Sequence, residues 1–470
     1  MPATSGDLRR MDRDLRQAAL ALKDAGSISV YTHIDADGIT AGAIADMTCE
    51  RLGAEHRISF EKKITEETIE AVNSDPSDIV WICDLGSGYL SEFDREGLIV
   101  TDHHVPDPRW HRKQTILDSY GGLVHLNPHL YGMDGSYEVC GAGMTYLLSK
   151  AVDPSNMDMA YLAVVGAVGD FQDSNHSGLT GLNRTVLNDA VGYGSAVVDM
   201  DLRFFGRETR PVNQYLQFAS DPQIPGISEN PRACLDLLDS CGVSAKDGTR
   251  WRTWAGLSEE ERGRLTDAVM ERIPKEQRNR AFGEMYSFPE MPPGKGLGDA
   301  KEFATVLNSC GRYDDAVTGL RICRGDMGAL AEAEKNRADH RRHISSAMTY
   351  IRENHLLRER RFIQWFDAGT EIKETVVGIV AGMVLSSPEC RSGMPIIAFA
   401  DSDDGVKVSA RATRNLVDRG LDLSKVMKTA AELVGGTGGG HSVAAGATIP
   451  PDRKGDFLDI VEDLVSSQLV

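Results

Sequence analysis

The first 205 residues alternate short apolar runs with longer stretches of helical spacing. Ile28–Thr32 (ISVYT), Asp78–Cys83 (DIVWIC) and Leu98–Thr101 (LIVT) have the length and β-branched content of buried strands. Asp12–Ala25, Ile39–Leu52, Gly141–Val152 and Met157–Val168 carry apolar residues on helical spacing. This alternation predicts an α/β fold, a parallel sheet covered by helices.

The pattern breaks near Asp201. Pro211, Pro222, Pro225 and Pro231 divide the chain into short pieces, and Pro289, Pro292 and Pro293 close the region. Between them, Ser258-Glu259-Glu260-Glu261 has the form of a capping box that opens a helix. The expected layout is a catalytic unit over 1–205, rejoined by 299–328, with a mainly helical inserted module at 206–298. A polar helix, Ala329–Glu359, then serves as a linker over 329–361. A smaller α/β domain fills 362–470, with strands at Arg361–Phe366, Pro395–Phe399 and Val406–Ala410.

Composition narrows the class. A chain of 470 residues implies two or three cores. No apolar run reaches the roughly 18 residues of a membrane helix. Met1–Arg16 is polar and lacks the apolar centre of a signal peptide, so a cytoplasmic protein without membrane partners is expected. The 8 cysteines are scattered with no Cys-x-x-Cys pair, which argues against a zinc ribbon or a disulfide framework. The net charge of −19 argues against a protein that coats nucleic acid generally, but not against one that holds it in a local groove. Lys335, Arg337, Arg341, Arg342, Arg352, Arg358 and Arg360 form a basic island on the linker. That island reads either as a solvated face or as the lining of a phosphate groove.

The chemistry gathers at element ends. The first strand runs into His33-Ile34-Asp35-Ala36-Asp37-Gly38. Period-two spacing is expected to keep His33, Asp35 and Asp37 on one side of an extended segment, with Gly38 turning the chain into a helix. The second strand ends at Asp84, the third at Asp102-His103-His104, and an apolar helix ends at Asp170. In an open parallel sheet, ligands bind beyond the carboxyl ends of the strands. One such residue is commonly a cap or a turn; four groups at four element ends point to one crevice. Carboxylates and imidazoles without thiolate suit Mn²⁺ or Mg²⁺ better than structural zinc. Their number suits two ions about 3.5–4 Å apart, bridged by one Asp.

At these residues the chain resembles the DHH phosphoesterase superfamily. The family motifs stand here as His33-x-Asp35-x-Asp37-Gly38, Asp84, Asp102-His103-His104 and Asp170. Asn127-Pro128-His129 and Gly141-Ala142-Gly143 are similar to its connecting motifs, with Cys140 where Ser is common. Leu307-Asn308-Ser309-Cys310-Gly311-Arg312 is similar to a segment of RecJ-type exonucleases. Ser409-Ala410-Arg411 and Gly438-Gly439-Gly440-His441 are similar to the DHH-associated C-terminal domain, and the domain order resembles the archaeal RecJ-like branch. The resemblance implies that His33, Asp35 and Asp84 hold one metal and that Asp37, Asp84, His103 and Asp170 hold the second. It implies a catalytic site in which Asp84 bridges, His104 faces the scissile phosphate and Asp102 supports the ligands. It assigns substrate binding to Asn308, Arg312, Ser409, Arg411, Gly438, Gly439, Gly440 and His441. Read on its own, the run Gly435–His441 is a loop whose backbone N–H groups could cradle phosphates.

The resulting expectation is an exonuclease acting on single-stranded DNA or RNA in replication or repair. It would use two divalent cations, Mn²⁺ ahead of Mg²⁺. Two alternatives share the motifs. One is a phosphoesterase for short oligonucleotides or small nucleotides. The other is a replication scaffold that docks the GINS complex through 206–298 and keeps its nuclease site.

Overall fold

The computed structural model describes residues 4–109, 122–174, 177–387, 389–391 and 393–469; the side chains of residues 336, 337 and 340, and with them Arg337 of the basic island, lie outside the described residues. The chain divides into two compact units, Met1–Glu334 and Lys335–Val470.

The first unit is built on five parallel strands: β1 (Ser27–His33), β2 (Glu55–Glu61), β3 (Ile79–Cys83), β4 (Leu98–Thr101) and β5 (Leu123–Leu126). Their order is β2-β1-β3-β4-β5, so the chain starts one strand in from an edge and adds β2 on one side and β3 to β5 on the other. Successive side chains serve opposite faces. Trp81 faces a large core with the helices Ser5–Asp24, Ala36–Leu52, Gly141–Val152, Ala160–Gly169 and Ala300–Arg312. Its neighbours Val80 and Ile82 face a smaller core with Ile64, Val72 and Phe93.

β2 and β5 had no signal in the hydrophobic pattern. β2 (EHRISFE) is an edge strand with no fully buried residue, and β5 has four residues. The stretch expected as one helix at Met157–Val168 is divided. Pro154–Met159 forms a 3-10 turn capped by Asp153, and the α-helix begins at Ala160.

The region around 202–282 has its own core, in which Tyr215 stacks on Trp254 with ring centroids 5.0 Å apart. Its helices include Pro231–Ser240 and Glu259–Arg272, and the second opens on the Ser258–Glu261 capping box. An antiparallel ribbon of Val197–Leu202 against Phe282–Ser287 closes its base. There Arg203 forms a buried ion pair with Asp173 at 2.5 Å, and Lys301 Nζ lies 3.6 Å from the same carboxylate oxygen.

The second unit contains a six-stranded sheet ordered Arg358–Glu359, Gln364–Asp367, Ile396–Ser402, Gly405–Arg411, Ala444–Ile449, Thr437–Gly440. The helices Glu374–Leu385, Leu423–Leu433 and Lys454–Leu469 pack on it. The glycine run is therefore not a loop: Thr437–Gly440 is an edge strand in which Gly438 pairs with Ala447 and Gly439 with Gly446. Glycine is needed at 438 because the Leu423–Leu433 helix lies against it; a β-carbon there would sit 2.5 Å from the Met427 carbonyl oxygen. Among the described residues, no helix is long and apolar enough to cross a membrane.

Candidate metal centre

The acidic and imidazole side chains come from the carboxyl ends of β1, β3 and β4 and from the end of the Ala160–Gly169 helix. The first motif does not stay extended. His33 is the last residue of β1, while Asp35 is already the N-cap of the Ala36–Leu52 helix, accepting the Gly38 N–H at 2.9 Å. Asp37 lies in that helix's first turn. The early turn sends the two carboxylates to different partners. Asp35 Oδ2 meets His33 Nδ1 at 3.0 Å, whereas Asp37 Oδ2 lies 3.7 Å from His103 Nε2. Gly38 is not the hinge expected of it. It sits inside the helix, where a side chain would overlap the His33 carbonyl.

Asp84 joins the two clusters. Its Oδ2 is 3.6 Å from His33 Nδ1 and its Oδ1 is 3.3 Å from His103 Nε2. The chain reaches this position through a left-handed backbone, φ 60°. Three sets of donor atoms each fall within 4.8 Å of one another: His33, Asp35 and Asp84; Asp37, His103 and Asp170; and Asp84 with Asp102, His103 and His104.

His103 is aimed by its backbone surroundings. Its Nδ1 lies 2.7 Å from the Gly135 carbonyl, which makes that nitrogen the donor and leaves Nε2 to face the carboxylates. Asp102 is fully buried and takes hydrogen bonds from Ser87 N, His103 N and His104 N, with His104 Nδ1 at 2.7 Å. That places Asp102 as the support of the tripeptide. His104 itself is more than half exposed.

Sequence reasoning missed Gln172. Its amide nitrogen donates to Asp170 Oδ2 at 2.9 Å and to the Gly135 carbonyl at 2.8 Å, and its carbonyl accepts from Asn183 Nδ2 at 2.6 Å. It thus contacts both Asp170 and the group that aims His103. Its place two residues after Asp170 was the available signal. Cys140 supplies a contact the motif left open: its sulfur caps the Gly141–Val152 helix, accepting the Gly143 N–H at 3.3 Å.

The electrostatics describe a crowded anionic cavity. Burial raises the Asp37 carboxyl well above its ordinary range, and the neighbouring Asp84 and Asp170 push the same way. Burial and the charges of Asp84 and Asp35 raise Asp170 too. Burial opposes charging of His103, yet Asp84, Asp170 and Asp37 together hold its pKa well above 6.5. Asp35 and Asp102 are lowered despite burial, by His33 and His104 respectively. A divalent cation would relieve this repulsion. His33 Nδ1 and Asp84 Oδ1 are buried and, among the described residues, have no hydrogen-bond partner. A buried imidazole nitrogen and a buried oxygen of the shared carboxylate, neither hydrogen-bonded, are ligand atoms of the type that fits a metal.

The substrate-binding candidates fall in both units. In the first, the Asn308 carbonyl accepts the Ala36 N–H at 2.9 Å, so this side chain holds the backbone next to Asp35. Arg312, on the same helix, is partly buried; burial lowers its pKa and the Asp35 charge opposes that. In the second unit, Ser409 is buried and Arg411 donates to the Ala410 carbonyl at 2.8 Å. Gly378 leaves room for both. His441 is exposed in the turn between the last two strands, after Gly438, Gly439 and Gly440. Metal-centre residues and Arg312 thus belong to one unit; Ser409, Arg411 and the glycines belong to the other.

Comparison with known proteins identifies two domains and the fold. Residues 204–281 match the DHH-CID domain and residues 362–467 match the DHHA1 domain. The chain is 26% identical over 451 residues to an uncharacterized protein of Methanocaldococcus jannaschii, covering 94% of each. Its fold is similar to that of exonuclease RecJ bound to manganese, with a TM-score of 0.55, 18% identity and coverage of 99% of this chain and 95% of that one. It is also similar to CDC45 from Entamoeba histolytica, with a TM-score of 0.62, 13% identity and coverage of 97% and 98%. The chain thus carries a DHH-CID domain in its first unit and a DHHA1 domain in its second, on a RecJ-like fold.

Proposed function

We propose that the chain is an exonuclease that hydrolyses phosphodiester bonds of single-stranded DNA or RNA with two divalent cations, Mn²⁺ in preference to Mg²⁺. The observation that carries the reading is the position of Asp84. One oxygen faces His33, which lies with Asp35, and the other faces His103, which lies with Asp37 and Asp170. His33, Asp35 and Asp84 would hold one ion, and Asp37, Asp84, His103 and Asp170 the other. Bound cations would activate water and offset charge on the phosphate.

The protein's own groups do the rest. Burial opposes the charge on His104, but Asp102 outweighs it and holds the imidazolium to about pH 9. His104 can therefore donate a hydrogen bond to a phosphate oxygen. Arg312 offers a planar pair of donors near Asp35. The likeness to exonuclease RecJ supports the exonuclease reading.

The test is digestion of single-stranded DNA and RNA, labelled at either end, with Mn²⁺, Mg²⁺ or chelator. Release of mononucleotides with Mn²⁺ and none with chelator is expected; metal-independent cleavage would overturn the assignment. A rate that peaks at two to five nucleotides would favour the small-substrate phosphoesterase instead.

A replication role is a second reading, favoured by the likeness to CDC45 and by a module with a separate core. On that module Phe218 and Trp251 are about half exposed and offer a docking surface for a GINS-type complex. Replacing both with Ser should abolish co-purification and leave hydrolysis intact.

A further inference from the structure

Of the exposed large apolar side chains among the described residues, the two most exposed flank the candidate metal centre. Val105, 76% exposed, directly follows His104; Phe171, 74% exposed, directly follows Asp170. His103 Nδ1 and Asp170 Oδ2 are 3.8 Å apart, so the segments that carry these two residues meet at the centre. Tyr89, in the turn that follows Asp84, is 42% exposed.

Phe171 also has a strained backbone. Its φ is 58°, the left-handed region that a bulky side chain rarely adopts. The conformation is fixed from both sides. The Phe171 N–H donates to Val168 O at 3.1 Å, and Ser174 returns two hydrogen bonds to the Phe171 carbonyl. The turn sends Asp170 and Gln172 toward the centre and the ring between them outward. Glycine would satisfy this turn without strain. Folding thus asks for no ring here, and burial gains nothing from one. Strain and exposure at one residue beside a functional centre indicate a ligand contact.

We propose that Phe171, on the turn that carries Asp170, is the platform on which the nucleobase next to the scissile phosphate stacks. The proposal rests on the nuclease reading above. A base is the flat apolar part of a nucleotide, and it lies about one side-chain length from its phosphate. A phosphate held at the centre brings its base to residues that adjoin the donors. Every base has a π-face, so such a platform binds strongly and tolerates any sequence. The centre recognises the phosphate through charge, and the ring adds a contact that is independent of charge.

The experiment uses the full chain with Mn²⁺ and two single-stranded substrates. One is an ordinary oligonucleotide; the other carries an abasic tetrahydrofuran residue at the nucleotide to be released. For Phe171→Ala and Phe171→Gly, KM on the ordinary substrate should rise roughly 10- to 100-fold, the size expected for losing one base–aromatic stack. Phe171→Trp should retain the wild-type KM. On the abasic substrate the wild type should already show the raised KM, and the variants should lose nothing further. Mn²⁺ affinity, measured by calorimetry, should be unchanged throughout. Phe171→Gly also removes the backbone strain, so a folding defect in the Ala variant does not obscure the result. Equal losses on both substrates would overturn the stacking role in favour of a positioning role for the turn. Unchanged KM on the ordinary substrate would also overturn it and would leave the ring to a protein partner. Failure of the wild type to hydrolyse either substrate would overturn the nuclease reading and this proposal together.

Discussion

The backbone N–H of Gly141 donates to Asp37 Oδ2 at 2.7 Å. A β-carbon at the same position would overlap the carboxylate of Asp84. One glycine therefore orients one carboxylate of the centre and makes room for another. Helix propensity alone favours Ala at this site. Gly141→Ala should keep the helix yet weaken Mn²⁺ binding by roughly 10- to 100-fold, the range for residues that support a metal centre. Calorimetry with Mn²⁺, beside an unchanged circular dichroism spectrum, checks this. Unaltered affinity would mean that Asp84 can shift without cost.

Asp84 needs a substitution that respects its backbone. At φ 60° an alanine adds a conformational cost of about 1–2 kcal/mol, whereas asparagine tolerates this region. Asp84→Asn isolates the charge. Its hydrolysis rate should fall by more than ~100-fold, beyond the usual loss for an outer partner of a metal. Thermal melting without metal should stay within a few degrees of wild type. Steady-state kinetics and melting decide the matter together, and retained activity would remove Asp84 from the shared position.

Gln172→Leu removes the hydrogen bonds to Asp170 and to the Gly135 carbonyl while keeping the volume. Mn²⁺ affinity should drop roughly 10-fold or more, and excess Mn²⁺ should restore turnover. A variant that no metal concentration rescues would show a purely structural role.

Asp75 provides a pH prediction away from the centre. Burial raises its pKa, but hydrogen bonds from Ser77, Arg57 and Ser29 outweigh that and bring it to about 2. The folded pKa lies below the ordinary 3.8. Its stabilising effect is thus complete above pH ~4 and is lost as pH falls through about 2. The lost stability is about 2 kcal/mol. Asp75→Asn should be less stable at pH 7 and should flatten the acid limb of the stability curve over this window, followed by urea denaturation.

What the sequence disclosed follows from which forces leave a local pattern. Leu98–Thr101 and Gly141–Val152 have the bounds of their apolar runs, because burial on one or both faces sets them. β2 is an exposed edge held by its pairing to β1, and pairing between distant segments leaves no local trace. At the centre, acidic and imidazole residues at strand ends were legible because parallel topology brings strand ends together. The division of Asp35 from Asp37 was not, since it depends on the helix starting at Ala36. Gln172 is a neutral amide with no periodic signature, and its role exists only through Asp170 and Gly135. The glycines at 438–440 looked like a turn because glycine frequency cannot distinguish flexibility from close packing under a helix.

The ion pair between Arg203 and Asp173 bears on how this chain can be inherited. A domain with its own core looks dispensable, free to be shed or exchanged between lineages. Here the Arg203 N–H is held by the Ala281 carbonyl, across the base of the module. Excising 206–298 would remove the Ala281 carbonyl that holds Arg203 and loosen its buried pair with Asp173, three residues from Asp170. Breaking such a pair typically costs about 3–5 kcal/mol. Loss of the module would therefore disturb a buried pair three residues from Asp170, which ties the insertion to the candidate metal centre.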